Sequence, residues 1–377
     1  MVKLSLIYFL GICIHVANNK LVCQAIKEDR PVDIIATQET DALYNNLKRL
    51  LNKGFMFGHQ DDLAYGVGWQ YENDRSDIKD VTGDYPAVYG WELGHLEIDK
   101  LVNLDSVPFK KMQQLIKEGY ERGGVITISW HLNNPFTGKT AWDPEPGTVT
   151  SILPGGIKHD LYKSWLDKIA AFMNGLKGHR GEFIPVIFRP YHELNGNWFW
   201  WGGKNCSSEE FKKLWIFTVS YLKDEKKLHH LLYAYNTDRF SSREEYLEKY
   251  PGDEWVDVIG FDIYQRNSSN EKFIADIDKM LSTLEEIAKE KNKIPALTEF
   301  GGNLSDSNWW TGTFLKGIGQ HKISYVLGWR NAGKKSTGEF EGYVPYKGHE
   351  SNKDFIKFYE MENTFFEKDI RSQKIYQ

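Results

Sequence analysis

Cysteine and long apolar runs are scarce in this chain, and each shortage excludes a class of protein. The 377 residues contain three cysteines, of which Cys13 and Cys23 lie among the first 25 residues. A chain that has lost those residues keeps only Cys206 and forms no internal disulfide. The apolar run near the N-terminus, 4–16, has about 13 residues, whereas a membrane-spanning helix needs roughly 20. The sequence therefore predicts neither a disulfide framework nor a membrane span.

Basic clusters and the common cofactor motifs are also missing. The formal net charge at pH 7 is −5. Without a lysine or arginine stripe, nucleic-acid binding would lack its main electrostatic contribution. The glycine pairs lack the flanking residues of a phosphate-binding loop, and no histidines have HExxH spacing. His59, with Asp61 and Asp62, offers ligand atoms without the spacing of a metal site. We predict no nucleic-acid partner, no cofactor and no metal.

The first 25 residues have the pattern of a secretory signal peptide. Lys3 precedes the apolar run, and the small residue Ala25 follows it at the expected cleavage position. Cys23 is a candidate for lipidation, but residues 20–22 lack the small residue that usually precedes a lipidated cysteine. We therefore expect an exported protein, periplasmic or secreted, with residues 26–40 as an N-terminal lead. The sequence carries no signal for oligomeric state.

Eight short apolar segments alternate with amphipathic stretches along the rest of the chain. Most of the eight are apolar throughout rather than alternating, which is typical of parallel strands buried on both faces. The predicted strands are 54–59, 87–93, 124–130, 183–189, 230–235, 256–263, 294–298 and 323–329.

The stretches between these segments predict helices, and together the two sets predict the fold. Helical patterns cover 108–122, 160–176, 208–222 and 270–291. Ser207 precedes one of them as a hydroxyl cap, with acidic residues in the first turn. Eight strand and helix units indicate the α/β class, a (β/α)8 TIM barrel in a single domain, here residues 41–372.

Polar residues follow almost every predicted strand. In a TIM barrel the functional groups lie at the carboxyl ends of the strands, where the outgoing loops build the site. Buried carboxylates are costly unless they are paired, so several of them at one rim indicate function. The main strand-end groups are Asp61, Glu92, His131, Arg189, His192, Glu193, Asn236, Asp238, Asp262, Glu299 and Arg330.

Glu193 and Glu299 stand apart among these acids because strands four and seven face each other across a barrel. Two facing carboxylates, about 5–5.5 Å apart, are what retaining glycoside hydrolysis requires. We assign Glu193 as acid/base, because the adjacent tryptophans offer a sugar-binding surface. Glu299 is then the nucleophile.

The segments around both glutamates resemble a known family. The stretch RPYHELNGNWFWWG, 189–202, is similar to the acid/base signature of glycoside hydrolase family 26, the β-mannanases, and LTEFG, 297–301, to its nucleophile motif. Four further motifs agree in order and position, so the resemblance spans residues 55–332. They are FGHQDDLAYGVGW (57–69), SWHLNNP (129–135), GFDIY (260–264) and GWRNA (328–332).

The resemblance implies roles for individual residues. It implies that His192 and Tyr264 orient the nucleophile, and that His131 contacts the bound sugar. Trp198 would flank the cleavage point. Further roles are implied for Trp329 as the platform under the reactive mannosyl unit, Arg330 as a contact to the next sugar, and Asn134 and Asp262 as supporting groups. The implied partner is β-mannan or its oligosaccharides.

Two other functions compete with a mannanase. A related retaining enzyme could act on mixed-linked β-glucan or xylan, since specificity lies in loops and single contacts. A noncatalytic carbohydrate-binding protein would be expected to lose Glu193 or Glu299, and both are present.

Long predicted loops bear on the mode of action. Residues 61–75 and 331–351 are long enough to block the cleft. The aromatic residues available as walls are Trp69, Tyr71, Phe340, Tyr343 and Tyr346. The sequence is compatible with internal cutting and with end-directed action, and the long loops favour a restricted, end-directed enzyme that releases a disaccharide, mannobiose.

Overall fold

Eight parallel strands form a closed barrel in the computed structural model, which describes residues 29–302, 304–334 and 338–377. Each strand pairs with the next, and β8 returns to β1 with Met56 opposite Tyr325 and His59 opposite Gly328. The strands are β1 Phe55–Gln60, β2 Val88–Glu92, β3 Val125–Trp130, β4 Val186–Pro190, β5 Leu231–Thr237, β6 Val258–Tyr264, β7 Ile294–Gly301 and β8 Tyr325–Gly328. The predicted (β/α)8 barrel is confirmed. The predicted signal peptide lies outside the described residues.

Both faces of the strands are apolar because each face has its own packing partner. Successive side chains of a strand point to opposite sides. Val88 and Leu232 belong to the cluster that fills the barrel interior. Their neighbours Tyr89 and Tyr233 belong to the larger cluster shared with the surrounding helices. Burial on both sides explains why the strands read as continuous apolar runs.

Helices of uneven length surround the barrel. They are α1 Gln38–Leu50, α2 Asp77–Thr82, α3 Phe109–Glu121, α4 Thr148–Ile152, α5 His159–Asn174, α6 Ser208–Ser220, α7 Arg243–Leu247, α8 Asn270–Lys291, α9 Leu315–Ile318, α10 Asn352–Tyr359 and α11 Glu367–Gln373. Ser207 caps α6, and Glu210 completes a reciprocal capping box with it. Across the described ranges, no helix combines the length and the hydropathy that a bilayer crossing requires.

Helix α1 covers the amino-terminal end of the barrel. Leu43 and Leu47 on its apolar face lie in the same buried cluster as the barrel interior. The segment before it is tied down as well, because Val32 N–H donates to Asp257 Oδ1 at 2.6 Å. The last three residues of the predicted lead, 38–40, belong to this helix. With one end covered, the carboxyl ends of the strands form the open end.

One extra residue in β7 sets the direction of the strand end that carries Glu299. Phe261 of β6 lies opposite Leu297, but the next residue, Asp262, lies opposite Glu299, so Thr298 is bulged out of the pairing. Thr298 Oγ1 donates to Asp262 Oδ1 at 2.9 Å. A bulge bends a strand and redirects its side chains, and here it brings Asp262 and Glu299 side by side.

Candidate active site

Glu193 follows β4 on a backbone conformation that few side chains adopt. Its φ is 51°, and that of Tyr191 is 54°, in the left-handed region that costs energy for residues other than glycine. Two buried tryptophans hold this turn. Trp200 Nε1 donates to Leu132 O at 3.1 Å, and Trp201 Nε1 donates to His192 O at 2.9 Å. These two tryptophans therefore fix the loop rather than offer a surface to a ligand.

Trp198, the third tryptophan of the cluster, faces the cleft. It is 39% exposed, and its Nε1–H donates to Glu193 Oε2 at 2.6 Å. Gly196 makes room for the indole, since a Cβ at that position would lie 2.3 Å from a Trp198 ring carbon. The Asn-Gly pair in the sequence thus allows the ring to reach back over the turn and contact the carboxyl group.

Glu299 lies between two donors. Arg189 Nη2 donates to its Oε2 at 2.8 Å, and the Tyr264 hydroxyl donates to its Oε1. Burial, reinforced by the Glu299 charge, raises the pKa of Tyr264 well above its usual range, so the phenol keeps its proton. Both oxygens of Glu299 are therefore aimed and partnered.

Asp262 and Asn236 support Arg189 from below. Arg189 Nη1 donates to Asp262 Oδ2 at 2.9 Å and to Asn236 Oδ1 at 2.5 Å. Arg189 is only 1% exposed and Asp262 is fully buried, so both lie beneath the cleft. Asp262 takes the supporting position implied by the resemblance, through the arginine.

The two glutamates lie close enough for direct attack on a bound sugar. One carboxylate oxygen from each of Glu193, Glu299 and Asp262 lies within 4.8 Å of the other two. Inverting enzymes hold their carboxyl groups about 6.5–9.5 Å apart to admit a water molecule, whereas retaining enzymes hold them about 5–5.5 Å apart. The separation fits a nucleophile and an acid/base. Arg189, Tyr264 and Trp198 already donate to these carboxylates.

The surroundings of Glu193 suit it to carry a proton. Burial first, and then the charges of Glu299 and Asp238, raise the pKa of Glu193 to about 8, against a smaller opposing effect of the Trp198 hydrogen bond. Glu193 is therefore mostly protonated at neutral pH, as a general acid must be. Glu299, the other glutamate of the pair, has the Arg189 cation and the Tyr264 phenol as partners instead.

Eight of the ten predicted site residues line one cavity of about 650 Å³ at the open end of the barrel. They are His131, His192, Glu193, Trp198, Tyr264, Glu299, Trp329 and Arg330. The two others lie outside its lining. Asp262 is beneath it, and Asn134 is buried in the loop after β3. Asn134 Oδ1 accepts from the Phe136 amide at 2.9 Å, and its Nδ2 donates to Asp143 O at 2.8 Å. Asn134 thus shapes a loop rather than meeting the ligand.

The chain is similar in sequence to a known family and to characterised proteins. The sequence pattern of glycosyl hydrolase family 26 matches residues 32–333. The chain belongs to this family. A mannan endo-1,4-β-mannosidase of Bifidobacterium adolescentis is 34% identical over 352 residues, which cover 86% of this chain. The chain spans only 34% of the length of that relative.

Two further relatives match over more of their own length. A mannan endo-1,4-β-mannosidase of Bacillus subtilis is 27% identical over 80% of this chain and 82% of its own. A solved family 26 β-mannanase from Bacteroides ovatus superposes with a TM-score of 0.86 at 44% identity, covering 90% of this chain and 98% of that one.

Sequence reasoning missed the residues that loops bring to the cavity. These are Leu104, Asp105, Trp142, Phe199, Arg266 and Glu341. Asp238, one of the strand-end acids to which the sequence assigned no role, also lines the cavity. Asp105 and Glu341 lie far along the chain from the ends of the barrel strands, and no local pattern identifies them. Of the predicted aromatic walls, Tyr343 lines the cavity, whereas Trp69 is buried and bonded to Asp77.

Arg330 joins two of these loops. Its Nη1 donates to Asp105 Oδ1, and its Nε donates to Glu341 Oε1 at 2.8 Å. Asp105 precedes α3, and Glu341 follows β8 in the chain, so the arginine ties together the loops that follow β2 and β8. It also lines the cavity, as its implied contact to a second sugar requires.

A chain of three buried groups supports the cavity beside Glu193. Glu92 accepts from His131 Nδ1 at 2.8 Å and from the His131 amide at 2.6 Å. Burial opposes the charge of Glu92, but His131 and the other donors lower its pKa to about 2. Burial likewise opposes the charge of His131, but Glu92 outweighs it and raises the pKa of His131. A buried ion pair therefore forms the first half of this chain.

His192 completes the chain as a neutral base. Burial, together with the cations His131 and Arg189, lowers the pKa of His192 well below its usual range. Its Nε2 lies 2.9 Å from His131 Nε2, so charged His131 donates to neutral His192. The resemblance implies that His192 orients the nucleophile, but its hydrogen bond goes to His131 instead of Glu299. Glu92, a strand-end acid to which the sequence assigned no role, supports His131 directly and His192 through it.

The pH dependence of activity should report the Glu193 proton. Because Glu193 must be protonated to act as an acid, kcat/KM is expected to fall as pH rises through about 8. Asp238→Asn removes one of the charges that raise this pKa, so the alkaline limb should move to lower pH. The measurement is a pH profile of kcat/KM on a soluble oligosaccharide. Asp224→Asn, a surface acid paired with Lys223, is the control, and equal profiles for both variants would contradict the assignment.

Glu92→Gln tests the histidine chain. The amide keeps the shape but not the charge, so the pKa of His131 should fall, and kcat should drop by about 10²-fold as the cavity wall loses its geometry. Titration of the His131 ring by NMR checks the first effect. Glu97→Gln is the matched control, because buried Glu97 contacts Trp130 and Asn133 instead. An unchanged His131 titration in Glu92→Gln would refute the ion pair.

Proposed function

We propose that this chain hydrolyses β-1,4-mannosidic bonds in mannan, glucomannan or galactomannan, and in their oligosaccharides, with retention at the anomeric carbon. The close pair of Glu193 and Glu299 supports a retaining reaction. Glu193 is protonated, and Glu299 is held by the Arg189 cation. The names of the relatives from Bifidobacterium adolescentis and Bacillus subtilis, both mannan endo-1,4-β-mannosidases, support mannan as the substrate.

The first step forms a bond between the enzyme and the sugar. A Glu299 oxygen attacks the anomeric carbon while Glu193 gives its proton to the glycosidic oxygen. The bond from the anomeric carbon to that oxygen breaks, and the leaving sugar departs with the proton. Arg189 and Tyr264 keep the attacking carboxylate aimed throughout, which removes much of the orientation cost of the step.

The second step uses Glu193 as a base, and the charges of the site favour that change. Once Glu299 is esterified it carries no charge, so one of the main causes that raise the pKa of Glu193 disappears. Glu193 then accepts a proton from water, and the water oxygen attacks the anomeric carbon. Glu299 leaves as a carboxylate, and the resting charges return.

The aromatic groups of the cavity position the sugars on either side of the bond. Trp329 follows β8 and lines the cavity, as a platform for the reactive ring would. Trp198 contacts Glu193, so its exposed ring lies beside the oxygen that leaves. Flat aromatic rings offer apolar faces to the C–H surface of a sugar.

We infer a cleft restricted on the side of Arg330. The arginine holds the neighbouring loops after β2 and β8 together through Asp105 and Glu341. Both acids also line the cavity. A closed end at this position limits the number of sugars on the nonreducing side of the cleaved bond. This supports the end-directed reading, in which mannobiose is the main product.

We also propose export of the protein to the periplasm or the medium. The support is the basic residue, apolar run and small residue of the first 25 residues, with cleavage after Ala25. N-terminal sequencing of the mature protein would test it.

Products released over time should identify both substrate and mode. Unbranched mannan and mannohexaose should be cleaved, with mannobiose dominant from the first minutes because the Arg330 end is restricted. Chromatography of the products over time gives the answer, with xylan and mixed-linked β-glucan as controls. A spread of longer products would overturn the restricted cleft, and activity on a control polymer alone would overturn the substrate.

Two glutamate variants should separate the roles of the pair. In Glu193→Ala, an aryl mannobioside with an activated leaving group should still form the glycosyl-enzyme, because such a group needs little acid assistance. Glu299→Ala should hydrolyse neither this substrate nor mannan, since the nucleophile is gone. Burst kinetics and intact-protein mass spectrometry detect the intermediate. Equal loss of both substrates in Glu193→Ala would contradict the assignment.

A further inference from the structure

A second basin of about 340 Å³ adjoins the catalytic cavity at the ends of β5 and β6. It shares Asp238, Tyr264 and Arg266 with that cavity. Its remaining lining residues are Arg239, Ser268, Lys272 and Asp276. The shared residues make the two spaces continuous, so a chain that leaves the catalytic cavity on this side enters the basin.

The position of Glu193 indicates which part of a bound substrate would lie in the basin. Glu193 delivers its proton to the leaving sugar, and Asp238, on the loop after the next strand, contributes to the charge around Glu193. Arg330 and its two acids lie instead on loops near β2 and β8. The basin therefore lies on the leaving-group side of the cleaved bond.

The floor of the basin is fixed before any ligand binds. Arg239 Nη1 donates to Asp276 Oδ2 at 2.7 Å, and its Nη2 donates to Tyr264 O at 2.9 Å. Lys272 Nζ donates to both oxygens of Asp276 at 2.9 Å. A surface whose side chains are already ordered loses less entropy when a ligand binds.

Arg266 differs from Arg239 and Lys272 because the N–H donors of its guanidinium make no hydrogen bond to the described residues. Among the described residues its guanidinium has no hydrogen-bond partner, and it lies over the Tyr264 ring at 5.0 Å from the centroid. The side chain is exposed, and the contact with Tyr264 places its guanidinium at the boundary of the two spaces. The Asp238 backbone N–H donates to Asn195 Oδ1 at 2.7 Å. This hydrogen bond fixes the backbone of Asp238, whose side chain lines the same two spaces as Arg266.

We propose that the basin binds the second backbone sugar of the leaving group, counted from the bond that breaks, through hydroxyl contacts to Arg266 and Asp238. This rests on the proposed function. Arg266 supplies donors and Asp238 an acceptor, as the hydroxyls of a neutral pyranose require. The basin holds cations and acids in nearly equal number, which suits an uncharged ligand.

The consequence is a substrate-length effect. Binding energy at a sugar remote from the reaction can be used to hold the reacting bond in place. Mannohexaose can place a sugar in the basin, whereas an aryl mannobioside ends before it. The ratio of kcat/KM for mannohexaose to kcat/KM for the aryl mannobioside therefore measures what the basin contributes.

Arg266→Ala is the test, with Arg243→Ala as the matched control. Arg243 pairs with Glu290 and does not line the basin. In Arg266→Ala the ratio should fall about tenfold, which corresponds to about 1.4 kcal/mol, and in Arg243→Ala it should stay unchanged. Arg266→Lys should recover only part of the loss, because lysine lacks the planar fork.

Three results would overturn the proposal. The first is an unchanged ratio in Arg266→Ala, and the second is an equal loss on both substrates, which would mean that Arg266 acts on the reacting sugars and not on a sugar in the basin. The third is a loss confined to galactosyl-substituted oligosaccharides, which would assign the basin to a branch. A wild-type enzyme inactive on mannohexaose would instead refute the proposed function. Measuring the wild type beside each variant therefore separates failure of the proposed function from failure of the basin proposal.

Discussion

Arg189 is the cation on which the arrangement of the acidic groups depends. It is almost completely buried and binds Glu299 and Asp262 at once. Burying one charged group is costly, and removing one partner from such a network leaves the others uncompensated, typically at about 3–5 kcal/mol. The arginine is the penultimate residue of β4, and the turn that begins at Tyr191 leads to His192 and Glu193. One strand therefore supplies both the counter-charge of the nucleophile and the acid that works with it.

Two glutamates with the same intrinsic chemistry acquire different roles from what surrounds them. Glu299 has a guanidinium and a phenol as donors, whereas Glu193 accepts from an indole N–H. Burial first, and then nearby negative charge, raise the pKa of Glu193 so that it carries a proton, while the guanidinium and the phenol aim Glu299 for attack. The bulge at Thr298 and the left-handed backbone at Glu193 are the two backbone irregularities that bring these environments within reach of each other.

The fold and the two glutamates could be predicted because both depend on local patterns. Continuous apolar runs locate buried strands, and a polar residue at the end of such a run marks the rim, as at Glu193 and Glu299. These local patterns could not predict residues whose positions depend on tertiary contacts. Asp105 and Glu341 meet only through Arg330, and the partner of His192 is a histidine from the neighbouring strand. Asn134 matched a family motif, yet its hydrogen bonds fold the loop that carries it.

Helix α1 closes the end of the barrel opposite the site, and this separation has a consequence for how such a protein can change over evolution. The packing that keeps the strands together lies in the interior, under α1 and under the surrounding helices, whereas the loops that hold Asp105, Trp142, Arg266 and Glu341 leave from the other end. Substitutions in those loops alter which sugars fit while the stabilising contacts stay intact. New specificities are therefore accessible by single steps that leave the folded state populated.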